Sequence, residues 1–475
     1  MKKIFNILTI GVLAAISLTS CEREFTSLND NPKQPEALPS QNLLAMGQQQ
    51  FFYYTFTGSV NFNNFRFFTQ QWTETTYTDE TNYNLVTRVQ PRNNWNRMYV
   101  YSLNNFETAK KNLVEEGGTA VSKQNKLATL EISQIAVWET LVDTYGDIPY
   151  TEALKSSEQQ FSPKYDDAKS IYTSLLSRID AAVASINASE AGYTSGDLVY
   201  GGDMTKWKHL ANSIKLRLAL NLADTDGAAA KAAAESAITS GVISSESESF
   251  SLKFAGGTFN NPVYDDLVAS GRQDFLPTNL VTNLMNSKND PRREVWFTKV
   301  DGGFNGGVFG TLNSFANFSQ LSDFFLANNA PANLLSYTEV LFLRAEAAQR
   351  GYSVGGTAES FYNQAITASM AESNVSAADT AAYLAANPYN AATWKKSIGE
   401  EAWIALFNRG FASWLFTRRL DSPTLILPPN NQLEGLPVRM PYSDQEYLLN
   451  KDNVNAAASK IGGDEATTKL FWDVN

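Results

Sequence analysis

QNKLATLEISQIAVWETLVDTYGDIPYTEAL, residues 124–154, governs how the rest of the chain is read. Apolar side chains at Leu127, Leu130, Ile135, Trp138, Leu141, Val142 and Tyr145 fall at steps of three, four and seven, which predicts a helix with one broad face in a core. Gly146 can take the positive φ that closes a helix, and Pro149 forbids its continuation. A long helix stopped on the polar elbow Asp143 to Tyr150 predicts a body of packed helix pairs.

Similar patterns extend outward on both sides. WNRMYVYSLNNFETAKKNL precedes the helix, and YDDAKSIYTSLLSRIDAAVASI follows it with Tyr172, Leu175, Leu176, Ile179 and Val183 on one side. A Gly-rich turn at 196–207 leads into a helix to about Ala223. The Ala-rich stretch closing at Gly241 is a strong helix former. Helices return at 336–351 and 357–370, where Ala345, Ala348 and Ala358 permit close packing and Phe361, Ala365 and Ile366 form an inner face. The pair has the character of a tetratricopeptide repeat unit with a lengthened loop. EEAWIALFNRGFASWLFTRRL, 400–420, predicts one continuous, strongly buried helix stopped by Pro423. Beyond it the chain reads as an extended, Pro-punctuated segment laid over the helices, and Ser40 is the expected N-cap of a first helix.

Two regions depart from this pattern. Between Gln50 and Tyr101, fifteen residues are aromatic, about twice the chain average of 12%, and they alternate with Asn, Gln and Thr. Residues 244–335, rich in Ser, Asn, Gly and Phe, read as a long irregular insertion with a short hairpin. Their glycines lack the spacing of a phosphate cradle.

Composition excludes several functions. A net charge of −11 leaves no basic surface for nucleic acid. One histidine, His209, and one cysteine, Cys21, remove the material for Cys–His catalysis, a Ser–His–Asp triad or a Cys/His zinc site. Asp265 and Asp266 are acidic loop residues open to calcium, but no ligand loop has EF-hand spacing, so neither metal nor cofactor is expected. Among the 49 acids no pair shows by spacing that it sits at a hydrolase separation, and Asp143 and Asp147 suit capping or turn bonds better. The expectation is a binding protein, not an enzyme.

Lys2 and Lys3, an apolar run from Ile4 to Leu18, and Leu18-Thr-Ser-Cys21 make an export signal over residues 1–20. LTSC resembles the lipobox of bacterial lipoproteins, so Cys21 is the expected lipidation site. Removing residues 1–20, which hold two lysines and no acid, takes the charge from −11 to −13. Acyl chains there would anchor the protein to a membrane without crossing it. Residues 21–40 then form a lipidated cysteine and polar tether, and 41–475 the domain.

Further short sequences carry a wider likeness. They are Leu28-Asn-Asp-Asn-Pro32, the elbow Asp143-Thr-Tyr-Gly-Asp-Ile-Pro-Tyr150, Tyr165-Asp-Asp-Ala168, the helices 335–351 and 400–420, and Pro437-Val-Arg-Met-Pro-Tyr442 with Asn450 to Ala456. In this order, behind a lipobox, they resemble the SusD/RagB family of outer-membrane nutrient-binding lipoproteins, in its starch-binding-associated, SusD-like branch. The resemblance implies a mainly α fold: one SusD-like helical domain with tetratricopeptide-like helix pairs at roughly 96–241 and 336–420. It also implies a loop-rich ligand-side subdomain at roughly 244–335 and few short strands. The implied location is the outer membrane of a Bacteroidota-type bacterium, facing the extracellular side. The implied partner is a SusC-like TonB-dependent barrel, and the implied ligand an oligosaccharide or, in some members, a peptide.

For a glycan, rigid aromatic faces flanked by amides and hydroxyls are the appropriate surface. The candidates are Trp72, Tyr77, Tyr83 and Trp296, then Trp95, Phe304 and Phe309. A helical scaffold that binds only proteins is the competing reading.

Overall fold

The computed structural model describes residues 38–474; the export signal, Cys21 and the segment after it lie outside the described residues. The fold is mainly helical, with a few strands of two to four residues. Helix α1 spans Ser40–Phe56, α2 Asn104–Leu113, α3 Ala120–Tyr145, α4 Ala168–Ser185, α5 Met204–Asn221 and α6 Gly227–Ser240. After the irregular section come α7, Tyr337–Gln349, α8, Ala358–Glu372, α9, Trp394–Ala405, α10, Gly410–Leu420, and α11, Lys451–Lys460. Many helices pack on their neighbours in the chain, α5 on α6 and α7 on α8 most extensively. Among the described residues no helix is long and apolar enough to cross a membrane.

Helix α3 is the centre, and it is buried more completely than its apolar spacing predicts. Leu127 is exposed, whereas Thr129, Ser133, Thr140 and Thr144 are buried. Each of these hydroxyls donates to the carbonyl four residues back, at 2.6–3.1 Å, so polar positions can face the core without an unmet bond. Glu139 is also interior. It forms a bidentate pair with Arg217 of α5, at 2.8 and 2.6 Å, and Arg217 also reaches Glu339 of α7 at 3.1 Å. One guanidinium thus joins the earlier helices to the later ones.

The elbow receives the end of the chain. Gly146 has φ +86°, and a Cβ there would sit 3.2 Å from Leu470. Met440 N donates to Thr144 O at 2.8 Å, Arg439 to Tyr145 O at 2.9 Å and Trp472 Nε1 to Asp143 Oδ1 at 3.0 Å. Arg418 of α10 donates to Asp143 O and Val438 O and lies 3.5 Å from the Trp414 ring. The segment expected to be extended does lie against the body, but it contains α11.

Other expectations need correction. Ser40 lies inside α1, and the Glu116 carboxylate accepts from its N and Oγ at 2.6 and 2.8 Å. The helix expected over 400–420 is two, because Asn408 has φ +70° and accepts from Arg66 Nε at 2.8 Å. Gly410 then approaches the backbone of Arg66 so closely that a Cβ would lie 2.7 Å from its nitrogen. The hairpin expected in 244–335 reduces to isolated antiparallel bridges, two-way between Gly256 and Phe259 and between Val300 and Gly303, with another between Phe297 and Leu321. Four strands form two antiparallel pairs of distant partners. β1, Trp72–Glu74, pairs with β3, Phe275–Pro277, and β2, Phe250–Leu252, with β4, Ala332–Leu335. The second pair closes the base of the insertion and the first ties its middle to the aromatic region.

Candidate ligand-binding face

β1 ends at Glu74, and the chain leaves it as a loop to Val89. Asn313 N donates to Thr75 O at 3.1 Å, and Asn313 Nδ2 to Glu74 O at 2.9 Å, which brings the 308–313 loop alongside. A third loop, 426–432, joins them through Gln70, whose Oε1 accepts from Ile426 N at 3.0 Å.

Asn82 is the fastener. Its Nδ2 donates to Thr78 O at 2.7 Å and Gly310 O at 2.9 Å, its Oδ1 accepts from Asn430 N at 3.0 Å, and its backbone O accepts from Gln432 N at 2.9 Å. One buried side chain therefore holds three loops in register. Gly310 has φ +73°, and a Cβ there would meet Pro428 at 2.5 Å, so only glycine permits this approach.

The three loops carry an unusual share of exposed apolar groups. Tyr77 is 61% exposed, Val86 80%, Leu312 73% and Leu427 54%, with Val308 and Ile426 beside them in sequence. A ring and several branched side chains are thus exposed to water on loops that Asn82 fastens together. Beneath it, Arg88 pairs with Glu80 at 2.6 Å and its guanidinium sits 5.5 Å from the Tyr77 ring centroid. Glu80 accepts from Gln90 Nε2 at 3.1 Å, and Glu74 from Thr81 N and Oγ1 at 3.1 and 2.9 Å. Burial, reinforced by the facing Glu80, pushes the Glu74 carboxyl far above the usual range. A proton shared between the two carboxyls would satisfy Glu74 Oε1 and Glu80 Oε2, which otherwise lack partners.

Of the seven aromatic candidates, the structure presents only Tyr77 to solvent; the other six are packed inside. Trp72 lies between Phe275 and the Arg66 guanidinium, with ring contacts of 5.5 and 4.8 Å. Tyr83 accepts from Gln70 Nε2 at 2.7 Å and packs on Phe309. Trp95 sits against Tyr99 and Tyr145, its edge lining a 470 Å³ recess. Trp296 stacks on Phe407 at 5.6 Å and donates to Ser373, and Phe304 is covered by Arg293 and Lys299. The amides beside these rings donate to backbone carbonyls and hydroxyls, as Gln71 Nε2 does to Trp403 O at 2.8 Å and Ser413 Oγ at 3.0 Å, and Trp403 Nε1 donates to Thr69 O at 2.8 Å. The mixed aromatic–amide composition is therefore a hydrogen-bonded core. Val86, Leu312 and Leu427 escaped the sequence reading because an aliphatic in a short loop run does not show by its sequence whether it faces solvent, and the role of Asn82 carries no local signal either.

Among the described residues no group of three or more His, Cys, Asp or Glu could hold a metal ion. Asp266 accepts from Thr57 and Asp265 from Asn260, so both serve local structure.

A family model described as starch-binding associating with outer membrane matches residues 32–443. The chain belongs to this SusD-like family. Solved structures agree over almost its whole length. A chitin-binding protein gives a TM-score of 0.82 at 27% identity, covering 92% of this chain and 100% of its own. A SusD homologue from Bacteroides uniformis gives 0.78 at 25%, covering 91% and 99%. A chitin-binding SusD homologue from Flavobacterium johnsoniae, at 24% identity and a TM-score of 0.76 over 92% and 98%, shares the fold. No curated protein matches the sequence. SusD-like proteins bind and do not catalyse, and this chain is a binding protein rather than an enzyme.

Proposed function

We propose that this SusD-like chain captures a nutrient glycan on the three-loop face around Tyr77 and delivers it to a SusC-like TonB-dependent barrel. In this reading residues 1–20 are removed on export, Cys21 carries the lipid anchor, and the domain from residue 41 faces outward from the outer membrane. The observation that carries the reading is the fastened apolar face: an exposed tyrosine ring whose loops Asn82 fixes, so a ligand need not order them on binding. The chitin-binding relative at 27% identity makes β-linked N-acetylglucosamine oligomers the first ligands to try.

A second reading, capture of peptides, draws support from the same face, because Val86, Leu312 and Leu427 outnumber the single ring and suit apolar side chains. Calorimetry against chitin oligosaccharides, other glycans and apolar peptides separates the two. Saturable binding of a glycan that weakens in Tyr77→Ala supports the first. Binding of peptides alone replaces it with the second. Co-purification with a barrel and no affinity for either class would leave a protein-binding scaffold.

A further inference from the structure

Beside the three-loop face lies a cleft of about 640 Å³, within the ~300–1,000 Å³ span of small-ligand sites. Its walls come from the helix Asn279–Ser287, from α9 and from the strap 421–425 that follows α10. Asp421 caps α10 at φ +49°, and the strap then seats directly on α9, where a Cβ on Gly399 would lie 2.6 Å from Ser422 Cβ. The cleft meets the face at two points. Leu425, on its wall, runs straight into Ile426 and Leu427 of the third loop. Leu280, also on its wall, follows Asn279, whose N donates to Gly307 O at 2.8 Å immediately before Val308 of the second loop. Gly306 permits that junction, because a Cβ there would sit 2.2 Å from Thr278 O.

The lining is polar but electrically balanced. Its charged side chains are Lys395, Lys396, Glu400 and Asp421, two of each sign, and Glu400 is paired with Lys288 at 3.2 Å. Asn283, Asp421 and Thr424 are exposed in the cleft, and their side chains have no hydrogen-bond or ionic partner among the described residues. An amide, a carboxylate and a hydroxyl are therefore open to a ligand, with Leu280 and Leu284 as apolar surface beside them. A sugar ring has hydroxyls at its edges and C–H groups on its faces, and it needs this combination. An apolar peptide side chain would cover the three polar groups without pairing them.

We propose that this cleft holds a run of sugar units of a neutral oligosaccharide whose other end lies on the Tyr77 face. The Asp421 carboxylate and the Thr424 hydroxyl accept from sugar hydroxyls, and Asn283 Nδ2 donates to them. The balanced lining neither attracts nor repels an uncharged chain, so selection comes from these hydrogen bonds and from length. The inference rests on the glycan capture proposed above and deepens it: the protein takes a chain long enough to reach from the loops into the cleft, and a disaccharide engages only part of the site.

The test is titration calorimetry of the whole chain with chitohexaose, cellohexaose and maltohexaose, each beside its own disaccharide. At least one hexasaccharide binds about tenfold or more tightly than its disaccharide. Asn283→Ala combined with Asp421→Gly weakens that hexasaccharide by about tenfold or more. Glycine keeps the left-handed cap at 421, and circular dichroism confirms that the variant is folded. Equal affinity for hexasaccharide and disaccharide, or undiminished hexasaccharide binding by the folded double variant, would overturn the proposal; a loss in Tyr77→Ala under those outcomes leaves the Tyr77 reading standing without it. A loss in the double variant with none in Tyr77→Ala would support the cleft and overturn the Tyr77 reading. Binding of no saccharide would overturn both.

Discussion

Asn82→Ala isolates what fastens the three-loop face proposed to bind ligand. The substitution deletes three side-chain hydrogen bonds, to Thr78 O, Gly310 O and Asn430 N, at 2.7, 2.9 and 3.0 Å. Asn82 is 4% exposed, so water cannot simply replace them. At roughly 0.5–1.5 kcal/mol net for each bond, the loss is about 1.5–4.5 kcal/mol of local stability. With one decade per ~1.4 kcal/mol, backbone amides that exchange through opening of this cluster accelerate by roughly 10- to 1,000-fold. Hydrogen exchange read by mass spectrometry over peptides covering 75–88, 308–313 and 426–432 is the assay, and it needs no ligand. All three segments accelerate together, while α3 and the α7–α8 pair keep their rates. Acceleration of the 75–88 loop alone would refute the fastening role, and acceleration across the helices would show that Asn82 supports the whole fold instead.

Three further outcomes follow from the packing. Arg217→Met leaves Glu139 and Glu339 buried without their cation and costs about 3–5 kcal/mol in chemical denaturation, whereas changing all three residues to apolar ones recovers much of it. Burial, with Glu139 adding to it, raises the Asp143 carboxyl from 3.8 to about 7, so the folded chain keeps a proton that the unfolded chain releases. Stability therefore falls as pH rises from about 4 to about 7, by a contribution on the order of 4 kcal/mol, and Asp143→Asn flattens that part of a melting-temperature profile. Gly410→Ala drives a methyl to 2.7 Å from the Arg66 nitrogen and lowers stability by roughly 1–3 kcal/mol, measured by urea titration.

Helix positions were legible because their apolar spacing is local. The spans around Trp138, Tyr172 and Phe361 follow directly from it, and Gly146 and Gly241 close helices where the sequence placed them. The break at Asn408 was not legible, since its cause is Arg66, 342 positions away in the chain. The short strands were hidden for the same reason: Trp72 pairs with Pro277 and Phe250 with Leu335. For the candidate face, aromatic content drew attention to a stretch in which Tyr77 is exposed, while the other six aromatic candidates are buried. A tryptophan amid glutamines can bury itself when the amide nitrogens find acceptors, as those of Gln70 and Gln71 do, although Gln71 Oε1 and Trp72 Nε1 are left without partners. Exposure is a property of the assembled loops, which is why Tyr77 alone of seven candidates presents its ring.

The most direct measurement is the exchange footprint of a bound glycan, taken with whichever oligosaccharide of the panel binds. Protection concentrated on 75–88, 308–313 and 426–432, and lost together with affinity in Tyr77→Ala, is the result predicted. Protection confined to the α5–α6 or α7–α8 helices, with those three loops exchanging as in the free protein, would contradict the central claim.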